Sequence, residues 1–268
     1  MKIAASVVGL AMLTGAACLD APQSQNPWLR WTTLRFKAKS IPLFSGRVEM
    51  RVTEDPNGRR LDTTTTARFL GAVIARTTTT TLFDPVTGAT KDYRSYSRKR
   101  GRHYVFGETS YTVEKLRPAE KAEDGWQVTL SKEYPYPETS DGRGVRQLLD
   151  YYGMLLYLRQ LKLDAPGDET ELYVATSSGP ELYRIRVGES RSKERIIIDT
   201  ATGEKRALTS RELRLIISPA DPDAEEGFLN MEGETEIWVE AESKTPLEIV
   251  GKIPRVPGKV RVVLTEMG

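Results

Sequence analysis

Histidine and cysteine each occur once in the 268 residues, as His103 and Cys18. One imidazole excludes a histidine-based zinc site and a histidine-dependent catalytic triad. One thiol excludes an internal disulfide, so packing and sheet hydrogen bonds must hold the fold. The Gly-x-Ser-x-Gly elbow, the His-Glu-x-x-His pair and the glycine spacings of phosphate-binding loops are also missing. There is no charge excess: Lys+Arg total 39 and Asp+Glu 37, a balance that does not support a nucleic-acid binder. Carboxylates are plentiful and a pair could in principle cleave glycosides, but nothing in the spacing selects one, and surface acids account for them. The expectation is a protein that is not an enzyme, with no catalytic residue, no metal and no cofactor.

Long apolar runs are scarce too. The one at the N-terminus, "MKIAASVVGLAMLTGAAC", has a lysine, an apolar stretch from Ile3 to Leu13 and then small residues. That is the order of a secretory signal, and it is shorter than the ~20 residues a spanning helix needs. Ala16 and Ala17 before Cys18 are similar to a bacterial lipobox, whose cysteine is acylated and becomes the new N-terminus. Gly15 stands where leucine is usual. An ordinary signal-peptidase cut at the same bond is the competing reading, and it leaves an unpaired thiol in an oxidising compartment. The expected lipid attachment is therefore Cys18, with residues 1–17 a signal peptide and 18–27 a flexible tether. The chain is expected to be exported to the cell envelope. Leu19, where an aspartate would signal inner-membrane retention, favours an outer-membrane lipoprotein facing the periplasm; the alternative is a soluble periplasmic protein.

Past Trp28 the sequence alternates. Residues 28–39, 45–52, 183–189, 212–218, 234–242 and 258–267 place apolar and polar side chains at period two, the pattern of half-buried antiparallel strands. Turn signals separate them at 55–58, 84–88, 98–101, 199–204 and 255–258. Two threonine runs, Thr63–Thr66 and Thr77–Thr81, flank "ARFLGAVIAR" and read as neighbouring strands with exposed threonine faces. A flat ice-binding array is the competing reading, and the runs do not repeat as a solenoid would. One segment breaks the pattern. Residues 145–161 are apolar around most of a helical perimeter, which predicts a helix buried on several sides, with Asp141 as N-cap and "DAPGD" as its exit. The expected fold is mainly β: a strongly curved antiparallel sheet, half-barrel or open barrel-like, around one central buried α-helix. It forms a single domain over 28–268, with an N-terminal meander (28–137), the helix (141–163) and a C-terminal meander (169–268).

"LLDYYGMLLYLRQLKLDAPGD" resembles the helix-and-exit motif of the bacterial domain of unknown function 3108 family, with Asp150, Tyr157, Arg159, Pro166 and Gly167 at its positions and Gly153 where serine is more usual. The resemblance continues through "ELYRIRVGESRSKERIIIDTATGEKRALTSREL" and through the closing strands, which place Trp238, Pro246, Lys252, Pro254 and Gly258. It covers the C-terminal half well; the N-terminal half matches only in style. The resemblance implies an exported, β-rich protein without an established reaction, and by fold analogy a half-barrel that holds acyl chains.

Two groups of residues are candidate contacts. On the helix, Tyr151, Tyr152, Met154, Leu155, Tyr157 and Leu158 either line an acyl-chain pocket or form a plain packed core. In "KDYRSYSRKRGRHY", Arg94, Arg98, Lys99, Arg100 and Arg102 lie among tyrosines. They either contact an anionic head group or form an exposed charged hairpin. The expected function is a non-enzymatic envelope lipoprotein that binds or carries a lipid or other amphiphile. The alternative is an assembly component that docks other envelope proteins through its sheet. No nucleic-acid partner is expected.

Overall fold

A computed structural model describes residues 31–39, 44–120, 125–138, 148–222, 224, 227–254, 256 and 258–268. The expected lipid-attachment residue Cys18, with the signal peptide and tether around it, lies outside the described residues. The N-terminal meander runs β1 (Thr33–Lys39), β2 (Phe44–Asp55), β3 (Gly58–Phe69), β4 (Ala72–Phe83), β5 (Thr90–Ser97), β6 (Gly101–Phe106), β7 (Ser110–Pro118) and β8 (Trp126–Pro135). The helix α1 (Tyr151–Tyr157) continues as one 3-10 turn, Leu158–Gln160. The C-terminal part follows as β9 (Glu169–Ala175), β10 (Pro180–Asp199), β11 (Lys205–Pro219), β12 (Glu232–Glu240), β13 (Pro246–Lys252) and β14 (Lys259–Met267).

The fourteen strands of the described residues belong to one sheet, ordered β8-β7-β6-β5-β4-β3-β2-β1-β14-β13-β12-β11-β10-β9. β1 pairs antiparallel with β14, so the two meanders join through the first and last strands. β10 is 20 residues long and its end also meets β14 in parallel, Ile198 beside Glu266, which closes β10–β14 on itself. The fold is thus the expected mainly β, strongly curved sheet around one buried helix.

The other half curls until its far strands reach β9. The Tyr111 hydroxyl donates to the Thr176 carbonyl at 3.1 Å and that of Tyr134 to Ser177 at 3.0 Å. Leu149 forms a parallel bridge with Val174 and covers the β9 edge. Tyr104, Tyr111, Val113, Leu148 and Ala175 form a small buried cluster along this seam. The main core fills the rest of the curl. Phe36, Phe83, Ile185, Leu215 and Val239 point inward from the sheet, and Met154 and Leu158 from the helix; each is fully buried. Burial of such side chains is worth about 1.5–3 kcal/mol apiece.

Three expectations change. The helix is shorter than 141–163. Residues 141–147 lie outside the described residues, so the Asp141 cap does as well. Leu148 and Leu149 are not helical, because Leu149 is taken up in the bridge to Val174. The cap is Asp150, whose extended backbone (φ −86°, ψ 173°) ends the preceding segment and whose carboxylate accepts from the N–H groups of Tyr152 and Gly153 at 2.8 and 3.3 Å. Leu161 is already extended (φ −92°, ψ 144°). A continuous apolar run fits strand and buried helix alike, so period could not place the boundary. The threonine runs are not exposed faces: Thr63, Thr79 and Thr81 turn inward and are buried, because the pleat sends alternate residues to opposite faces. The turn at 255–258 lies partly outside the described residues. The other turns form where expected; in one, Asp84 Oδ1 accepts from Val86 and Thr87 N–H groups at 2.9 Å, and these bonds hold its pKa at about 2.

Candidate binding surfaces

The helix is apolar on every side, and the structure packs every side. Met154 and Leu158 are fully buried, and Tyr151, Leu155 and Leu156 nearly so. Tyr152 and Tyr157 are half-buried against the same core. Met154, Leu155 and Leu158 therefore face packed protein, Tyr152 and Tyr157 are partly exposed, and Tyr151 also borders a cleft.

That cleft of about 220 Å³ lies between the helix start and the inner face of β5 and β6, lined by Tyr93, Arg100, Arg102, Tyr104, Asp150 and Tyr151 among others. Asp150 is its buried end. The carboxylate accepts from the Thr81 hydroxyl at 3.1 Å and the Thr90 hydroxyl at 2.9 Å, besides the two helix N–H groups. Burial raises its pKa, and those four hydrogen bonds work against the rise. Gly153 is tied to the same node. A Cβ there would sit 2.5 Å from Thr90 Oγ1 and 2.9 Å from Asp150 Oδ2, which explains why this chain has no serine at that position.

The basic ribbon does not act as one cluster. β5 and β6 are paired with Ser95 opposite Arg102 and Arg94 opposite His103, so the pleat turns Arg102 inward to the cleft and Arg94 outward. Arg94 is held by Asp92 at 3.0 Å. Arg98, Lys99 and Arg100 are exposed around the β5–β6 turn. They border a wider groove of about 750 Å³ whose other wall is the exposed side of β4, with Val73, Ile74 and Arg76. The structure thus brings Arg100, Arg102 and Tyr151 together at the cleft, and Arg98, Lys99 and Arg100 at the groove. On the outer face, His103 lies between Asp92 Oδ2 at 2.6 Å and Glu114 Oε2 at 3.0 Å.

Two features escaped the sequence. The first is the wall of that groove: from Arg68 to Arg76 both pleat faces are exposed. "FLGAVI" is apolar where a turn is normally polar. The second belongs to the closed β10–β14 part. Arg195 bridges two fully buried carboxylates, donating to Glu212 Oε1 at 2.5 Å and Glu248 Oε2 at 3.0 Å. Arg191 donates to Glu212 at 2.8 Å and stacks 3.4 Å from the Trp238 ring centre. Nothing in the spacing of "SRSKER" and "SREL" could have announced this pairing. Burial pushes the Glu248 carboxyl up, but the Arg195 hydrogen bond and three neighbouring cations hold it below the ordinary range.

The edge strand β8 is exposed along nearly its whole length, with Trp126, Val128 and Leu130 among its open apolar side chains. β7 is its only strand neighbour among the described residues.

No protein-family model and no curated protein matches the chain. Solved structures do. The crystal structure of a β-barrel-like protein of domain of unknown function 1849 from Brucella abortus aligns with a TM-score of 0.51 and 9% identity, over 88% of this chain and 95% of that chain. At that identity the likeness is one of fold. A "putative lipoprotein" from Parabacteroides distasonis covers 90% of this chain and 97% of its own at 10% identity, with a TM-score of 0.28, which carries no argument. The resemblance to domain of unknown function 3108 has no family model beside it. What stands is the coarser point: a barrel-like β fold shared with a domain of unknown function.

Proposed function

We propose that the chain is an exported cell-envelope lipoprotein, anchored through Cys18, that works by docking a partner protein and not by catalysis or by carrying a lipid inside. The single observation behind docking is β8. An edge strand with no second strand neighbour among the described residues and with exposed Trp126, Val128 and Leu130 is a template for strand addition by another chain. Among the described residues the helix packs against the core, which argues against internal carriage. Ligand pockets span about 300–1,000 Å³, and the cleft at the helix offers about 220 Å³.

The carboxylates support a non-catalytic reading. A general acid in glycoside cleavage needs a raised pKa, whereas Glu248 is lowered and is tied to Glu212 through Arg195. Asp150 is raised, but both its oxygens are committed to the helix cap and to two threonines. The lipobox-like "LTGAACLD" supports the anchor, and Leu19 an outer-membrane position facing the periplasm.

A photocrosslinker at Val128, compared with one at Val86 on the opposite end of the meander, tests docking in intact cells. The reading predicts one discrete adduct at Val128, lost in a Leu130→Lys chain, and none at Val86. Equal adducts at both positions, or none at Val128, would contradict it.

A further inference from the structure

The turns of the N-terminal meander alternate between two ends. One end carries the β3–β4 tip (69–72), the β5–β6 turn (97–101) and the start of β8. There β4 runs past the end of β5, pairing with it only from Thr77 on, while β2 stays beside β3 as far as Phe69. Phe69, Leu70, Val73 and Ile74 are 43, 67, 55 and 57% exposed. They are adjacent in sequence and so occupy both pleat faces, which no one-sided packing inside the chain can satisfy.

The apex is strained for its residue type. Leu70 and Gly71 both have positive φ, 50° and 84°, the backbone of a tight hairpin turn in which Asn-Gly is the favoured pair. Leucine in this region is an outlier, and such outliers are kept where the side chain serves a purpose. Here the purpose is not packing, since Leu70 is the most exposed of the four.

Around this tip the charge has one sign. Arg68, Arg76, Arg98, Lys99 and Arg100 are exposed, and among the described residues none forms an ion pair. The β7–β8 connection at this end carries an exposed acid, Glu120. Trp126 stacks on Tyr96 with ring centres 4.9 Å apart at the same end. Aromatic rings with one polar tip settle at the head-group level of a bilayer, and cations close to it are drawn to anionic lipid.

We propose that this end of the meander, led by the Leu70–Gly71 tip and ringed by Arg68, Arg76, Arg98, Lys99 and Arg100, docks onto an anionic phospholipid bilayer. The aliphatic apex enters the head-group and upper acyl region, and the cations hold the phosphates. This contact is separate from the Cys18 anchor and shares only Trp126 with the β8 edge.

The test places a spin label on the full chain at Ala72→Cys, with Val86→Cys at the other end as control and the unsubstituted chain as blank for Cys18. Vesicles are phosphatidylcholine with and without about one third phosphatidylglycerol. The expected result is that the Ala72 label becomes membrane-immersed only with phosphatidylglycerol, while the Val86 label stays aqueous. Leu70→Asn, which installs the favoured turn pair and so keeps the hairpin, combined with Ile74→Thr, is expected to lower partitioning about tenfold or more. Arg98→Gln with Lys99→Gln is expected to lower it by a similar factor and to weaken the salt dependence. An Ala72 label that stays aqueous on anionic vesicles overturns the proposal. So does spin–spin broadening without vesicles, which would assign the tip to a second copy of the chain, and so does unchanged partitioning of the Leu70→Asn/Ile74→Thr variant.

Discussion

Asp150 joins three parts of the fold at a single carboxylate. It caps α1, binds a hydroxyl on β4 and binds another on β5. Asp150→Ala removes the cap and strands two buried hydroxyls, so a loss of about 2–4 kcal/mol in denaturant unfolding is expected. Asp150→Asn keeps the acceptor oxygen and is expected to lose less. His103 gives a pH dependence. Its hydrogen bond to Asp92 raises its pKa above the ordinary 6.5, against the effect of burial. Burial pushes Asp92 up, but the bond and charge of His103 hold it below its ordinary 3.8. The raised histidine stabilises fully below about pH 6.5, and this share is lost as pH rises through the folded His103 value. The lowered aspartate stabilises above about pH 4, and this share is lost as pH falls through the folded Asp92 value. The wild-type chain is therefore expected to lose stability relative to His103→Gln as pH rises from about 6.5 through the folded His103 value. Parallel unfolding curves across that range would contradict the ion triad.

At the scale of elements, the strands were legible because each buries one face. The alternation in "GRVEMRV" and "KVRVVL" maps directly onto β2 and β14. The helix was legible as a buried apolar element but not in length. "LLDYYGMLLYL" is apolar enough to serve strand, bridge and helix, and only the tertiary bridge of Leu149 to Val174 divides it. The basic ribbon was legible in composition, whereas its division between an inner cleft and an outer groove depends on which side of the pleat each residue takes. The hairpin tip was not legible because "FLGAVI" is a short apolar run, which sequence alone does not separate from a buried strand segment. The seam is also an element-scale feature. Tyr111→Phe with Tyr134→Phe removes both hydroxyl links to the β9–β10 turn. About 1 kcal/mol per bond is expected, read as faster amide exchange in β9 with little change in β12. Unchanged exchange in β9 would show that the aromatic cluster alone closes the seam.

For the molecule as a whole, the sheet closes by two different means. β10–β14 close by strand pairing and carry a buried Arg–Glu network. β1–β8 curl around the helix and close by side chains, leaving β8 as an edge. Side-chain closure leaves an exposed edge strand and an open hairpin end among the described residues, and both proposed contacts fall on this half. The central claim is a lipid-anchored protein whose interior holds only its own side chains. Native mass spectrometry of the full chain, extracted from membranes in mild detergent, tests it most directly. The account predicts the mass of residues 18–268 plus covalent acyl groups on Cys18, with nothing held non-covalently. A retained lipid at one per chain, or an unmodified Cys18, would contradict it.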